Sequence, residues 1–316
     1  MSRRPVPSAP GAFLMNPPSV VPGPGQPSAP KRSRFRRILM ASLVLGSLFW
    51  FWMFAVWPPP IWYRWNWPRQ TAFMAMRADQ ADSLARHGQR RRQAIDGTLP
   101  RLYDPVEFDR IATAVPQAVL IAEDHRFFEH GGVDFQAIRQ ALGYRREDFE
   151  LKDPRDRTEL RRVVGVAWSR RDRIRGASTI TQQLAKNLYL SPSRNPLRKF
   201  KEALTAYRLE MAMSKTRILE LYLNVVEFGP EVWGVEAAAQ AYFGRSADRL
   251  TVEQAAALAG SLPFPLRSNP AFRSGRMRWR QQFILRRLRG EPIQVPDDGE
   301  PPEGKEPMEP DSTGSR

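Results

Sequence analysis

Two stretches of this 316-residue chain combine residue types that can move a proton and hold an anion. The first, Glu123-Asp124-His125-Arg126-Phe127-Phe128-Glu129-His130-Gly131, sets an acid beside aromatic rings and a glycine turn. A carboxylate among apolar neighbours such as Phe127 and Phe128 loses hydration of its charged form, and its pKa rises towards that of a useful general base. The second, Gly176-Ala177-Ser178-Thr179-Ile180-Thr181-Gln182-Gln183-Leu184-Ala185-Lys186-Asn187, gathers polar and cationic side chains on one face of an expected helix. Lys186, with Arg194, Arg198 and Lys199 from the run Arg194–Glu202, can neutralise phosphate oxygens: arginine as a fork, lysine as a mobile point charge. A carboxylate base facing a phosphate cradle is the chemistry these groups suggest. Plainer readings exist beside it. Glu123 and Arg126 are spaced for an i,i+3 ion pair, and Arg198 and Glu202 for a surface i,i+4 pair worth only ~0.3–0.5 kcal/mol. His125 and His130 fall in the order His-x-x-x-Glu-His, which is not the zinc-protease His-Glu-x-x-His, so no metal ligands are assigned.

Helices must carry these groups. From Pro100 onward the chain shows capping and breaking signals with little strict alternation, which predicts a mainly α domain. Pro116 suits the first turn of a helix running through Val119, Leu120 and Ala122, so Glu123 stands near its end, and Gly131-Gly132 stops the turn that follows. Asp124 and His130 read as residues that hold this turn. Thr179 and Gln182 form a capping box; Ile180, Leu184 and Leu188 are the buried stripe, and Gln183, Lys186 and Asn187 share another face. Ser214 caps a helix through Ile218, Leu221, Tyr222 and Val225 that Phe228-Gly229-Pro230 should end. A second box, Thr251 with Gln254, precedes an Ala-rich, tightly packing helix closed by Pro263 and Pro265.

Ile38 to Trp57 is uncharged and almost wholly apolar; at ~1.5 Å per residue its twenty residues span ~30 Å, one membrane-crossing helix. Lys31, Arg32, Arg34, Arg36 and Arg37 crowd its N-terminal flank, which places the N-terminus in the cytoplasm and the Glu123 run outside it. Trp57, Trp62, Trp65 and Trp67 suit the outer interface, and Ala55-Val56-Trp57 lacks the small-x-small pattern of a cleaved leader. Thr71 to Met76 fits either a membrane surface or a buried helix start. The net charge of +16 admits nucleic acid, anionic lipid or a phosphorylated substrate, but a basic domain outside the cytoplasm sets nucleic acid aside. The absence of cysteine is compatible with an oxidising compartment. Pro/Ser/Gly-rich residues 1–30 and the acidic tail from Glu291 read as disordered.

The ordered blocks Glu-Asp-x-x-Phe-x-x-His-x-Gly, Gly-x-Ser-Thr-Ile-Thr-Gln-Gln-x-x-Lys-Asn, Arg-Lys-x-x-Glu and Leu223-Asn224-Val225-Val226-Glu227-Phe228-Gly229 resemble the peptidoglycan glycosyltransferases, glycosyltransferase family 51. The likeness covers about Pro116 to Leu288 and extends through Val232 to Gly244. It is similar to the monofunctional members, because the Ser-x-x-Lys and Lys-Thr-Gly elements of an attached transpeptidase do not follow these blocks. The resemblance implies a lysozyme-like fold that polymerises lipid II into β-1,4-linked glycan with inversion, releasing undecaprenyl pyrophosphate. It implies Glu123 as base and Glu202 as the second carboxylate; Lys186, Arg194, Arg198 and Lys199 match phosphate-contacting positions, and Ser178, Thr179, Gln183 and Asn187 match the motif that shapes the cleft. No cofactor is obligate, although a divalent cation (Mg or Mn) assists some relatives. The implied partners are lipid II, the growing lipid-linked strand, the membrane and other cell-wall synthesis proteins.

The expected layout is a cytoplasmic Pro-rich, basic tail (1–37), the membrane helix (38–57), a juxtamembrane segment (58–99), the glycosyltransferase domain (100–290) on the periplasmic side of the inner membrane, and an acidic tail (291–316). One departure from the family pattern is a charged stretch between Gly143 and Arg173, read as a solvated loop or as a contact for a partner or membrane. Two other functions fit a lysozyme-like fold with a catalytic glutamate: a hydrolytic or lytic enzyme on finished glycan, and a non-enzymatic scaffold.

Overall fold

A computed structural model describes residues 32–86, 102–141, 153–169, 178–189 and 196–291. Both expected disordered ends lie largely outside these residues. The chain divides at Trp52 into an N-terminal unit and a second unit from Met53 onward. Helix α1 (Arg32–Phe54) carries the apolar span Phe35–Phe54, long enough to cross a bilayer, with side chains such as Leu45 and Phe51 exposed. It starts earlier than Ile38 and stops three residues short of Trp57. Pro58-Pro59-Pro60 accounts for the early stop, since proline lacks an N–H and disfavours helix in the residue before it.

In the second unit a 3-10 turn (Pro60–Arg64) leads to α2 (Ala72–Arg86). Thr71 caps α2, its Oγ1 accepting from the Met74 amide at 3.1 Å, and both residues are buried. Thr71–Met76 is therefore a buried helix start. Tyr63 and Met74 join the main core, so the described part of the juxtamembrane segment around them packs into the folded body.

Strand β1 (Leu102–Tyr103) precedes α3 (Ala114–Glu123) and α4 (Phe135–Ala141). Residues Pro154–Ser169 form helix α5, which corrects the loop reading over that part of the charged stretch. Pro154 opens the helix where proline is best tolerated, and the Asp153 carboxylate accepts from the Arg155 amide at 2.8 Å. Residues 142–152 and 170–177 lie outside the described residues.

Helices α6 (Ile180–Tyr189), α7 (Pro196–Ala212) and α8 (Lys215–Val225) pack together at the centre, with Ile180, Leu184, Leu209, Ile218 and Leu221 fully buried. Ser214 caps α8 as expected, accepting from the Arg217 amide. The helix ends at Val225, before the expected break, because Glu227–Gly229 pairs as strand β2 with β3 (Val232–Trp233). β3 is also parallel to β1, giving the order β1-β3-β2 in a mainly α domain. Asn224 ties this sheet region down: its side chain exchanges hydrogen bonds with the Val106 N–H (2.8 Å) and C=O (2.9 Å). Gly234, at φ 83°, passes so close that a Cβ would sit 2.4 Å from the Asn224 carbonyl oxygen, so only glycine fits. Helices α9 (Val235–Phe243), α10 (Val252–Ser261) and α11 (Gly275–Leu288) complete the unit. The Thr251–Gln254 capping box is formed. α3, α10 and α11 pack on one another as a second helical cluster.

Candidate active site

Glu123 is the last residue of α3, whose Val115, Ala118 and Val119 are buried. Anchoring that apolar face fixes where the carboxylate emerges. Its Oε2 accepts from Gln183 Nε2 at 2.9 Å, and Gln183 Oε1 accepts from the Tyr222 hydroxyl at 3.0 Å. On the other side, Arg280 Nη2 lies 3.4 Å from Oε1 and donates to the Ala122 carbonyl at 3.2 Å. Burial pushes the Glu123 carboxyl above its ordinary value; Arg280, the Gln183 hydrogen bond and Lys186 pull the other way, and Asp124 adds to the rise. The i,i+3 pair with Arg126 is not made. Arg126 turns instead to Glu129 at 3.4 Å and Asp134 at 3.3 Å.

The two motif runs are stitched to each other below this carboxylate. Asp124 Oδ1 meets His130 Nε2 at 3.0 Å, and Oδ2 accepts from the Ile180 amide at the start of α6, where backbone donors lack helical partners. Thr179 and Gln182 close their capping box, and the Thr179 hydroxyl donates to the Gly132 carbonyl at 2.6 Å. Asp124 and His130 therefore hold the turn as expected, and Thr179 is buried in the fold. Ligand atoms of Asp124, His130 and Asp134 lie within 4.8 Å of one another. These donors do not fit a divalent cation, because Asp124 is occupied by His130 and an amide, and Asp134 Oδ1 by the Arg126 guanidinium and the Ala137 amide.

One helical turn beyond Gln183, Lys186 projects from α6 with Nζ 5.9 Å from the Phe73 ring centre. Burial pulls its ammonium below the ordinary lysine value, Glu202 opposes this, and Lys199 and Arg198 reinforce it. Glu123 also acts on it, so Lys186 sits within the field of both carboxylates. Among the described residues it forms no ion pair closer than 4.0 Å, which leaves the amine able to take an incoming anion. On α7, Glu202 is only 3% exposed and is held by Arg198 Nη1 at 2.9 Å and by Lys199 Nζ. Lys199 Nζ also donates to Ser178 Oγ at 2.9 Å. The i,i+4 pair thus exists, but burial of its acid removes it from the class of solvated surface pairs. Asn187, on the same helical face as Gln183 and Lys186, is buried, and Arg194 lies outside the described residues.

Three participants escaped the sequence reading. Arg280 is one of a dense run of arginines on α11, and nothing in its spacing marks it. Tyr222 read as an ordinary core residue. Glu227 was quoted only as part of a block; it is buried, receives Arg77 Nε (3.2 Å) and Nη2 (2.9 Å) from α2, and is pushed up by burial while feeling Lys186. The Arg77 guanidinium and the Lys186 amine both lie against Phe73.

A partly buried carboxylate with a raised pKa, near an ammonium that forms no ion pair among the described residues and a second acid tied to two cations, makes a site that can deprotonate a hydroxyl and stabilise an anionic leaving group. The Transglycosylase family model matches residues 93–152 and 155–289. The chain is 40% identical over 267 residues to the biosynthetic peptidoglycan transglycosylase of Bordetella pertussis (strain Tohama I), covering 84% of this chain and 97% of that protein. It is 40% identical over 264 residues to the protein of the same name from Escherichia coli O127:H6, covering 82% and 92%. To that of Bordetella avium it is 39% identical over 262 residues, covering 82% and 95%.

Proposed function

The chain belongs to the transglycosylase family, as a peptidoglycan glycosyltransferase of mainly α, lysozyme-like fold, and from that premise we propose that it polymerises lipid II at the outer face of the inner membrane. Glu123 takes the proton of the acceptor sugar's 4-hydroxyl. The freed oxygen attacks the anomeric carbon of the lipid-linked strand; the new C–O bond forms as the C–O bond to phosphate breaks, with inversion to a β-1,4 linkage. Undecaprenyl pyrophosphate leaves with the electron pair, and Lys186 meets its developing charge. Lys199, Arg198 and, by its motif position, Arg194 extend that positive surface, while Glu202 holds Arg198 and Lys199 in place. Ser178 fixes Lys199; Gln183, Thr179 and Asn187 set the cleft. None of the chain's own residues requires a metal in these steps.

The observation that carries this reading is the placement of Glu123 and of Lys186, which has no ion pair among the described residues, on adjoining ground, joined through Gln183 one turn away on the same helix. A hydrolase acting on finished glycan has no pyrophosphate for Lys186 to receive. Among the described residues α1 is the one helix long and apolar enough to cross a membrane, which fits a single-pass anchor, and its basic N-terminal flank favours a cytoplasmic N-terminus with a periplasmic catalytic domain. The test incubates the detergent-purified full chain with labelled lipid II, comparing wild type with Glu123→Gln and resolving products before and after muramidase. Muramidase-sensitive polymer from wild type alone supports the reading; breakdown of preformed glycan without polymer supports the hydrolase, and inactivity on both supports a scaffold.

A further inference from the structure

Among the described residues, Arg280 has one carboxylate partner, and that partner is Glu123. The guanidinium reaches it from α11, more than 150 residues away in sequence, and its Nε is buried without a hydrogen-bond partner. A surface arginine would satisfy that nitrogen with water. Here the side chain is 22% exposed and directed at the end of α3. Its Nη2 also donates to the Ala122 carbonyl, one of the last carbonyls of α3 that no helical N–H satisfies, at the end where the helix dipole favours a cation.

The approach depends on α10. Gly260 faces α11, and a Cβ there would lie 2.9 Å from the Met277 carbonyl oxygen, 3.2 Å from the Gln281 amide and 3.4 Å from Arg280 Cβ. The absent side chain lets α11 settle close enough for Arg280 to reach past α10 to Glu123. The Ala-rich sequence of α10, with Ala255, Ala256 and Ala259 fully buried, serves the same close packing.

Resting on the reading of Glu123 as the general base, we propose that Arg280 is its positioning residue: it caps the C-terminus of α3 and keeps the Glu123 carboxylate ionised and aimed into the cleft at working pH. It does not touch substrate. Gln183 orients the same carboxylate by a neutral hydrogen bond, whereas Arg280 supplies charge. The charged and titratable groups facing Glu123 are Arg280 from α11, Lys186 from α6, Tyr222 from α8 and the adjacent Asp124. Of these, Arg280 is the strongest influence favouring the ionised form, so its loss leaves burial less opposed.

The test measures kcat/KM for polymerisation of labelled lipid II against pH for the full-length wild type, Arg280→Gln and Arg280→Lys, with thermal unfolding of each and Glu123→Gln as a control. An opposite charge near a carboxylate shifts its titration by about one unit or more, so Arg280→Gln should move the acid limb up by about one pH unit. Arg280→Lys, which keeps the charge but not the fork, should restore most of that shift. An acid limb that stays in place while activity falls, or a shift no smaller in Arg280→Lys than in Arg280→Gln, overturns the proposal and leaves Arg280 a packing residue. Should Arg280→Gln not fold, an acid limb in Arg280→Lys superimposable on wild type, with kcat/KM within threefold, supports it; a tenfold or larger loss at every pH overturns it. A Glu123→Gln control that polymerises normally shows instead that the base assignment has failed.

Discussion

Glu123 and Glu202 are one residue type at two ends of the Lys186 field, and their surroundings differ in kind. Glu123 projects from the end of α3, held by a neutral amide at 2.9 Å and an arginine at 3.4 Å. Glu202 lies within α7 and is clasped by Arg198 and Lys199 from its own helix. The first site sets burial against one arginine and one neutral amide, which raises the carboxylate's proton affinity above the ordinary value. The second spends its acid on fixing two cations. On the proposed reading, how completely its neighbours neutralise each carboxylate separates the two roles, and the two ends should respond with opposite sign when the acid is made neutral.

The largest effect is expected at Glu123. Glu123→Gln removes the base while preserving size and one hydrogen-bond acceptor, and should lower polymerisation by about 10²–10⁴-fold. Its stability should move the other way. The folded-state pKa of Glu123 lies above the ordinary 4.5, so the native state binds more protons than the unfolded chain. Ionisation then costs stability progressively as pH rises through the unfolded and folded values, and the cost is absent below both. Glu123→Gln should thus melt higher than wild type at pH 7, with the gap closing towards pH 4. A gap that is absent or reversed at pH 7 would show that Arg280 and Gln183 fully compensate the buried charge.

Lys186 comes next. Lys186→Met should reduce kcat/KM by about 100-fold, since one charge-assisted contact to the leaving group is lost in a water-poor site. Burial lowers the Lys186 pKa, so wild-type activity should fall at a lower alkaline pH than an ordinary lysine would allow. Lys186→Arg cannot deprotonate in that range, and whatever activity it retains should persist further into alkali. An unchanged alkaline limb in Lys186→Arg would place that titration elsewhere.

Glu202→Gln sharpens the contrast most directly. Removing the acid takes one anionic partner from Arg198 and from Lys199, together with the chief influence that keeps Lys186 protonated. Activity should drop about tenfold, a step of ~1.4 kcal/mol in the barrier, and the alkaline limb should move down. Unlike Glu123→Gln, this variant should melt lower, by a loss on the order of 1–3 kcal/mol for a charged hydrogen-bond partner removed from a buried position. Matching melting shifts in the two variants would erase the distinction between the two ends.

The parts of this site that a sequence can display are those made locally. Glu123 at a helix end, the Thr179–Gln182 cap and the Asp124–His130 turn all depend on residues a few positions apart, where spacing alone fixes which face a side chain occupies. The i,i+4 pair of Arg198 and Glu202 was legible for the same reason, but not its burial, which depends on what packs over α7. Arg280, Tyr222 and Arg77 reach their partners across 157, 39 and 150 residues, and no local period encodes such meetings. The strand Glu227–Gly229 was hidden likewise: three residues are too few to show alternation, and the pairing with Val232–Trp233 decides them. Helix α5 lay behind its charge, because a run rich in arginine and aspartate reads as solvated loop unless the Asp153-Pro154 start is weighed.

Tyr222→Phe should have the smallest effect and isolates the neutral side of the Glu123 clamp. The hydroxyl donates to Gln183 Oε1, so its loss leaves that oxygen unpaired and the amide held only through its Nε2–H bond to Glu123. A looser amide aims the base less well. Because Phe retains the ring that fills the core, the change should cost ~0.5–1.5 kcal/mol of stability and lower kcat several-fold, with KM nearly unchanged, since Tyr222 is fully buried and does not face the cleft. The Gln183 hydrogen bond favours the ionised carboxylate less strongly than Arg280 does, so the acid limb should rise by less than it does in Arg280→Gln. A larger shift in Tyr222→Phe would reverse the ranking of the two clamps and make the neutral chain, not the arginine, the main control on Glu123.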